Sequence, residues 1–338
     1  MALTQLTCTT VGGSESQELP KKFTNTEMEY KSGLRDLYDI TKMYLTVERV
    51  EPTPKADLPV LEMTTESLIE ETENVVYRLG HSSVLMKLDN QFVMTDPVFS
   101  DRASPVQWAG PKRFHKAPIA IAELPAIDVV VISHDHYDHL DKAAVKELAD
   151  KVSLFLVPLR VGEHLIKWGV SADKVIELNW WESYVFNGIE YTLTPTQHFS
   201  GRTGVDRDRT LWGSWVIAAP TQRVFFSGDS GYFSGFKEIG EKYGPFDLTL
   251  VETGAYNEAW SQIHMFPEQS VQAHIDLKGK VMFPIHNSTF DLATHDWQEP
   301  INRALANAQE RGVDVVMPKM GERLVVGDAM PLSYWWDQ

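Results

Sequence analysis

The sequence predicts an α/β protein folded as one domain, and three observations point there. The run Asp128-Val129-Val130-Val131-Ile132-Ser133 is almost entirely β-branched, as a strand buried on both faces would be. It leads into a histidine-rich loop and then a helical segment at 142–150, the order in which α/β enzymes carry their chemistry. The second half continues in the same style, without a repeat of about 20 to 50 residues and without a dividing linker.

Taken in order, residues 1–25 are rich in Thr, Ser, Gly and Gln and predict a loosely draped N-terminus. Over 28–50, Leu34, Leu37, Tyr38, Ile40, Tyr44, Leu45 and Val47 recur at helical spacing, which predicts one amphipathic helix before Pro52 and Pro54 stop it. The expected division is therefore an N-terminal extension over 1–57 and the main domain over 58–338. Apolar runs broken by polar turns predict strands at 75–79, 83–88, 91–95 and 129–132. Further strands are expected at 154–157, 191–195, 212–218, 223–227, 248–251, 281–285 and 313–317, with helices at 160–168, 236–243, 267–276 and 300–310.

Composition narrows the functions. The 338 residues carry 31 Lys+Arg against 47 Asp+Glu, a formal charge of −16, so the field of the chain opposes the phosphate neutralisation that nucleic-acid binding needs. The one cysteine, Cys8, excludes disulfides and thiolate zinc sites, which leaves imidazole and carboxylate as metal ligands. No apolar run reaches the ~18 residues of a membrane span. The first twenty residues lack a basic start and an apolar stretch, and Leu6-Thr7-Cys8 matches a lipoprotein cleavage site poorly, so a cytoplasmic location is expected.

The chemistry concentrates in His134-Asp135-His136-Tyr137-Asp138-His139-Leu140-Asp141. Three imidazoles and three carboxylates in eight residues are costly to bury unsatisfied and fit metal binding. In an extended loop residues two apart point the same way, so His134 and His136 can hold one ion while Asp138 and His139 turn toward a second. Downstream, His198, Asp229 and His286 each follow a predicted strand. A lone histidine there is more often structural, but two divalent ions need about six to seven protein ligands, and these three complete the number. Asp135 is expected to face away and support the loop.

With those residues in view, the sequence resembles the metallo-β-lactamase superfamily, whose pattern is H-x-H-x-D-H with a later His, Asp and His. Within it, Gly80-His-Ser-Ser-Val-Leu, Thr95-Asp-Pro-Val-Phe-Ser, Arg102-Ala-Ser-Pro, Gly110-Pro-Lys-Arg-Phe, Leu124-Pro-Ala-Ile-Asp, Leu178-Asn-Trp-Trp-Glu, Leu211-Trp-Gly-Ser-Trp and Gly244-Pro-Phe-Asp-Leu are similar to N-acyl-phosphatidylethanolamine-hydrolysing phospholipase D and its bacterial relatives. The likeness runs from about Leu58 to Arg323. It implies an αββα sandwich with a two-metal site at one edge and a hydrolase domain over 58–338. It further implies that His134, His136 and His198 bind one zinc, that Asp138, His139 and His286 bind the other, and that Asp229 bridges them. Manganese or iron is allowed by the same ligands.

The resemblance implies a water activated by two cations as nucleophile, which casts Asp138 and Asp229 as catalytic. It also places His264 near the metals, to contact the phosphate or protonate the leaving alkoxide; capping of the helix after Pro267 is its other reading. Asp96 is expected to orient a metal-bound imidazole through its other nitrogen, and His81 to play a similar part or shape a turn. His115, His164, His274 and His295 are expected to be packing or surface residues. Trp108, Trp180, Trp181, Trp212, Trp215, Tyr256, Trp260 and Phe290 are candidates for an apolar groove, most of them for core, and Arg102, Arg113 and Arg202 are candidate anion anchors.

The chain departs from the phospholipase pattern in three places. Val251-Glu252-Thr253-Gly254-Ala255-Tyr256 stands where that pattern reads roughly I-P-I-G-A-Y, which brings a carboxylate close to the site. Asn287-Ser288 replaces Trp-Gly after His286, and the region before Leu58 matches poorly. The expected function is a binuclear-metal phosphodiesterase of the phospholipase D type, acting on N-acyl-phosphatidylethanolamine or a related phosphodiester. A metal-dependent lactonase or other ester hydrolase is the alternative, and a non-catalytic scaffold is disfavoured by the complete ligand set. Partners are a small-molecule or lipid phosphodiester and no nucleic acid. Contact with a membrane surface and a homodimer are both allowed, although a −16 chain is repelled by anionic lipid.

Overall fold

The computed structural model describes residues 19–29, 42, 46–328 and 331–337. The amphipathic helix expected over 28–50 falls mostly outside the described residues. Elements in chain order are α1 (Thr65–Glu70), β1 (Val75–Gly80), β2 (Ser83–Leu88), β3 (Gln91–Thr95), β4 (Ile127–Val131), α2 (Lys142–Leu148), β5 (Val152–Pro158), α3 (Gly162–Lys167), β6 (Val175–Leu178), β7 (Ser183–Phe186) and β8 (Ile189–Thr194). They continue with β9 (Ser214–Ala218), β10 (Arg223–Phe226), α4 (Gly235–Tyr243), β11 (Phe246–Glu252), α5 (Pro267–Asp276), β12 (Gly279–Ile285), α6 (Glu299–Arg311), β13 (Asp314–Val315) and β14 (Arg323–Val325).

The strands form two seven-stranded sheets, ordered β14-β1-β2-β3-β4-β5-β6 and β13-β12-β11-β10-β9-β8-β7. Each is antiparallel in one part and parallel in the other: β3 to β6 run parallel in the first, β10 to β13 in the second. Side-chain alternation explains the layering. On β4, Val129 and Val131 enter the core between the sheets, where they join Trp215, Ile217, Phe226 and Leu250 of the second sheet. Val130 and Ile132 point the other way and pack with Ala144, Val145 and Leu148 of α2. Phe225, Val251 and Met282 turn outward from the second sheet onto Phe236 and Ile239 of α4, Val271 of α5 and Ala304 of α6. The result is the αββα sandwich, with strands buried on both faces, and each fully buried Val, Leu, Ile or Phe contributes about 1.5–3 kcal/mol.

Parallel strands of both sheets end at one edge, and the loops leaving them carry the motif residues. Thr95 pairs with Val131, so β3 and β4 deliver Asp96 and the 134–141 loop side by side. In the other sheet Phe226 pairs with Leu250 and Glu252 with Ile285, which brings Asp229, Glu252 and His286 together. Two hydrogen bonds lock the sheets here: Trp215 Nε1–H donates to Ile132 O at 2.8 Å and Gly213 N–H to Ser133 O at 3.0 Å. Gly228 is required at this junction. Its φ is +55°, and a Cβ there would stand 2.5 Å from Ser133 Cβ.

Candidate metal centre

The loop after β4 is built to point donors inward. Asp141, the last carboxylate of the motif, is spent on structure: it accepts from Ala143 N at 2.9 Å as the cap of α2 and from Ser100 N at 2.8 Å. Asp135 turns away as expected, accepting from Gly201 N at 2.7 Å and Thr210 Oγ1 at 3.0 Å. That leaves His134, His136, Asp138 and His139 facing the edge.

These four assemble with the downstream residues into adjoining groups. His134, His136 and His198 offer nitrogens all within 4.8 Å of one another, with His136 Nδ1 at 2.9 Å from His134 Nε2 and 3.2 Å from His198 Nε2. His81, Asp138, His139 and His286 form the second group, in which Asp138 Oδ2 lies 3.1 Å from His81 Nε2, 3.3 Å from His286 Nε2 and 3.5 Å from His139 Nε2. Asp229 Oδ2 stands between them, 3.1 Å from the Nε2 atoms of His139 and His286 and 3.8 Å from those of His134 and His198. His81 thus contacts Asp138 directly, from a turn in which its own φ is positive.

Outer contacts fix which nitrogen each ring presents. His139 Nδ1 hydrogen-bonds Asp96 Oδ2 at 2.6 Å, and Asp96 Oδ1 accepts from Ser133 N at 2.7 Å. His198 Nδ1–H donates to Ile263 O at 3.0 Å, and His134 Nδ1 lies 2.9 Å from Ser133 Oγ, whose hydroxyl is donated to Asp96. The Nε2 atoms of these three rings are therefore the ones free to bind. His81, Asp96 and His286 all have positive φ, at 54°, 30° and 63°, a concentration of backbone strain typical of functional sites.

The electrostatics match cation binding. Burial, reinforced by neighbouring imidazoles, holds His134 well below its usual pKa, and burial likewise lowers His136 and His198, so these rings are neutral with lone pairs available. Burial alone would raise Asp138 and Asp229, but the adjacent His139 and His286 rings keep both carboxylates well below their usual range. The buried His139 Nε2 and Asp229 Oδ1 have no hydrogen-bond partner. Neutral imidazoles at His134, His136 and His198, ionised carboxylates at Asp138 and Asp229, and rings at His139 and His286 that a cation would relieve of their protons are a donor set that fits a divalent metal.

A cavity of about 270 Å³ opens over this centre, lined by His136, Asp138, Asp229, His264 and His286 on one side and by Phe199, Trp260, Ile263 and Leu292 on the other. His264 lies against the metal residues, its ring 5.1 Å from that of His198 and 5.6 Å from that of His286. It does not cap the following helix, which begins at Pro267 after Phe266. Its Nδ1 pairs with the carboxylate of Glu252, which is fully buried. Burial and then the charge of Asp229 push Glu252 well above the usual carboxylate range, while burial holds His264 down to about 4.

Of the aromatics named from the sequence, Trp260 lines the cavity, whereas Trp212 and Trp215 are core and Trp108 is 83% exposed. None of Arg102, Arg113 and Arg202 lines it; Arg113 and Arg202 donate to the carbonyls of Val98 and Leu140. His274 is buried against Thr249, and His295 stacks on Tyr256. Asn25, which holds the backbone of His198, and the cavity walls Phe199 and Ile263 were not foreseen; adjacency to His198 and His264 was the available signal for the latter two.

An αββα sandwich with His/Asp donor groups at one edge of its sheets defines a metal-dependent hydrolase. The chain belongs to the metallo-β-lactamase superfamily: the family described as the Beta-lactamase superfamily domain matches residues 91–287. It is 36% identical to the N-acyl-phosphatidylethanolamine-hydrolyzing phospholipase D 1 of Caenorhabditis elegans over 90% of this chain and 91% of that protein. An uncharacterized protein of Mycobacterium tuberculosis is 47% identical over 76% of this chain and 70% of its own. Among solved structures, the metallo hydrolase Igni18 of Ignicoccus hospitalis superposes with a TM-score of 0.58 at 22% identity, covering 75% of this chain and 98% of that one, a likeness of fold.

Proposed function

We propose that the protein is a binuclear metal phosphodiesterase of the phospholipase D type, acting in the cytoplasm on N-acyl-phosphatidylethanolamine or a smaller phosphodiester. The observation that carries the binuclear reading is the single oxygen of Asp229 that approaches nitrogens of both histidine groups. His134, His136 and His198 would hold one cation, Asp138, His139 and His286 the other, with Asp229 shared and Asp96 steadying His139. Two zinc ions, or manganese or iron in the same ligands, supply Lewis acidity and an acidified water when bound there.

The chain's own residues account for the rest of the reaction. His264 lines the cavity; with the Glu252 carboxyl donating its proton to Nδ1, the neutral ring carries its hydrogen on Nε2 and can pass it to the departing alkoxide oxygen as Nδ1 takes up the carboxyl proton. Phe199, Trp260, Ile263 and Leu292 exclude water and offer an apolar wall to an acyl chain. The phospholipase D class is supported by the Caenorhabditis elegans relative, which is matched over nine-tenths of both chains. Among the described residues no helix is long and apolar enough to cross a membrane, and the −16 charge favours a substrate presented away from anionic lipid.

The deciding experiment assays zinc-loaded protein on an aryl phosphodiester, on N-acyl-phosphatidylethanolamine and on a lactone panel. Phosphodiester turnover that disappears in Asp229→Ala is expected. Lactone turnover without phosphodiester turnover would replace this reading with the metal-dependent lactonase.

A further inference from the structure

Glu252 lies outside the ligand set proposed above, although with Asp229, His264 and His286 it forms a further group of donor atoms within 4.8 Å of one another. It ends β11 one strand away from His286, in register with Ile285, and it is fully buried. A buried carboxyl group beside Asp229 is costly unless both oxygens are engaged. Here they are: one pairs with His264 Nδ1, and the other accepts from Ser230 N–H at 2.7 Å. The backbone is held as well, with Glu252 N–H donating to Ser227 Oγ at 2.8 Å and Ser270 Oγ–H donating to Glu252 O at 2.6 Å. A side chain fixed at this many points is a rigid support, and the group it supports is the imidazole of His264.

His264 needs such a support. The segment before it is a short turn, and the preceding residue, Ile263, uses its carbonyl to orient His198. With Nδ1 committed to Glu252, Nε2 is the nitrogen left to face the cavity, and no hydrogen bond engages it among the described residues.

We infer that Glu252 is a positioning residue for His264: its carboxyl group holds Nδ1, locks the ring in one orientation and tautomer, and keeps Nε2 aimed at the substrate's departing oxygen. A histidine free to rotate would spend part of its time with neither nitrogen in line. The role assigned to His264 rests on the phosphodiesterase reading, but the Glu252–His264 pairing is a property of the protein before any substrate binds.

The test therefore starts without substrate. Long-range ¹H–¹⁵N spectra of histidine-labelled, zinc-loaded protein, with His264 identified by its loss in His264→Gln, should show one pair of unaveraged ring-nitrogen shifts for His264. These should move in Glu252→Met, which keeps the volume and removes both carboxyl oxygens, and move less in Glu252→Gln, which keeps one oxygen for Ser230 N–H and a donor for Nδ1. Averaged shifts in the unmodified protein, or shifts unchanged in Glu252→Met, would overturn the inference, and the first of these readings does not depend on Glu252→Met folding. In turnover, Glu252→Met should lower kcat about 10- to 100-fold with KM nearly unchanged, and Glu252→Gln should recover much of it. On a His264→Ala background the same change should have no further effect, and a full additional loss would show that Glu252 acts by another route. If no phosphodiester is turned over at all, the proposed function fails while the spectra still decide the pairing.

Discussion

Asn25 grips both backbone polar groups of His198 from 173 positions away: its Oδ1 accepts the His198 N–H at 3.0 Å and its Nδ2 donates to the His198 carbonyl at 2.8 Å. Trp212 Nε1–H also donates to that Oδ1, at 3.1 Å, and Phe23 two residues earlier is buried in the core between the sheets. The N-terminal segment therefore reaches a candidate metal ligand through its main chain.

Asn25→Ala should loosen that ligand. Supports around a metal ligand are commonly worth about 10- to 100-fold in metal affinity, and a loss of that size is expected in a competition titration against a chromophoric chelator. The variant should stay folded, because Asn25 is only half-buried and the Phe23 contact remains. Unchanged affinity would reduce the clamp to a local packing feature.

Asp96→Asn tests the support of the other group. The carboxylate accepts from His139 Nδ1, Ser133 N and Ser133 Oγ at once. Asparagine keeps one acceptor and turns the other into a donor, so either the imidazole or the serine loses its partner. Elemental analysis after dialysis should show metal depleted well below that of the unmodified protein, with circular dichroism unaltered.

Gly228→Ala should be worse than either, for a steric reason. The added Cβ would meet Ser133 Cβ at 2.5 Å and Gly213 O at 3.0 Å, in a φ region that alanine resists. A loss above ~1 kcal/mol is expected from the backbone conformation alone, and the clash falls on the joint that sets Asp229 against the 134–141 loop. Denaturant melts should record the lower stability, and metal affinity should fall with it.

The ligand pattern was legible in the sequence because four of its members sit within six residues and the other three directly follow strands, so local spacing carried the geometry. The strands that delivered them were equally visible as β-branched runs, since burial on both faces leaves no polar alternation to confuse the reading. Strands β6, β7 and β14 were not foreseen: Val175–Leu178 and Ser183–Phe186 lie at sheet edges with half-exposed, mixed residues, and Arg323–Val325 is three residues long. Trp212 and Trp215, candidates for either groove or core, are core, and both use their indole N–H groups to tie loops to the sheets. The Asn25 clamp was out of reach, because nothing local in Phe23-Thr24-Asn25 records a contact with His198.

Protonation should shape stability through His274, which is far from the metal groups in sequence and buried against Thr249 Oγ1 at 2.7 Å. Burial holds it down to about 4, whereas an unfolded histidine titrates near ~6.5. Between those values the unfolded chain binds a proton that the folded chain refuses, so stability is complete above about pH 6.5 and declines as pH falls toward 4. Urea midpoints across this range should therefore drop with acidity by up to about 3 kcal/mol from this group, at ~1.4 kcal/mol per unit. His274→Gln should reduce the slope by this group's share, the other buried, lowered histidines supplying the remainder.

Metal uptake should release protons. Although burial works against it, the charge of Asp229 and contacts with both carboxylates push His286 up to about 10, and His139 is raised by the same pair of aspartates. The raised rings favour their protonated forms in the metal-free protein, and an imidazole must shed that proton before its nitrogen can bind a cation. The sign is fixed: affinity rises with pH as these raised rings lose their protons, and each ring that binds contributes a proton to the solvent. Calorimetric zinc titrations at pH 7 in buffers of different ionisation enthalpy should give an apparent enthalpy that varies linearly with the buffer's, with a slope near two protons released. In His286→Ala the slope should fall by about one. A slope of zero in the unmodified protein would mean that neither ring gives up a proton to zinc, and would remove His139 and His286 from the ligand set.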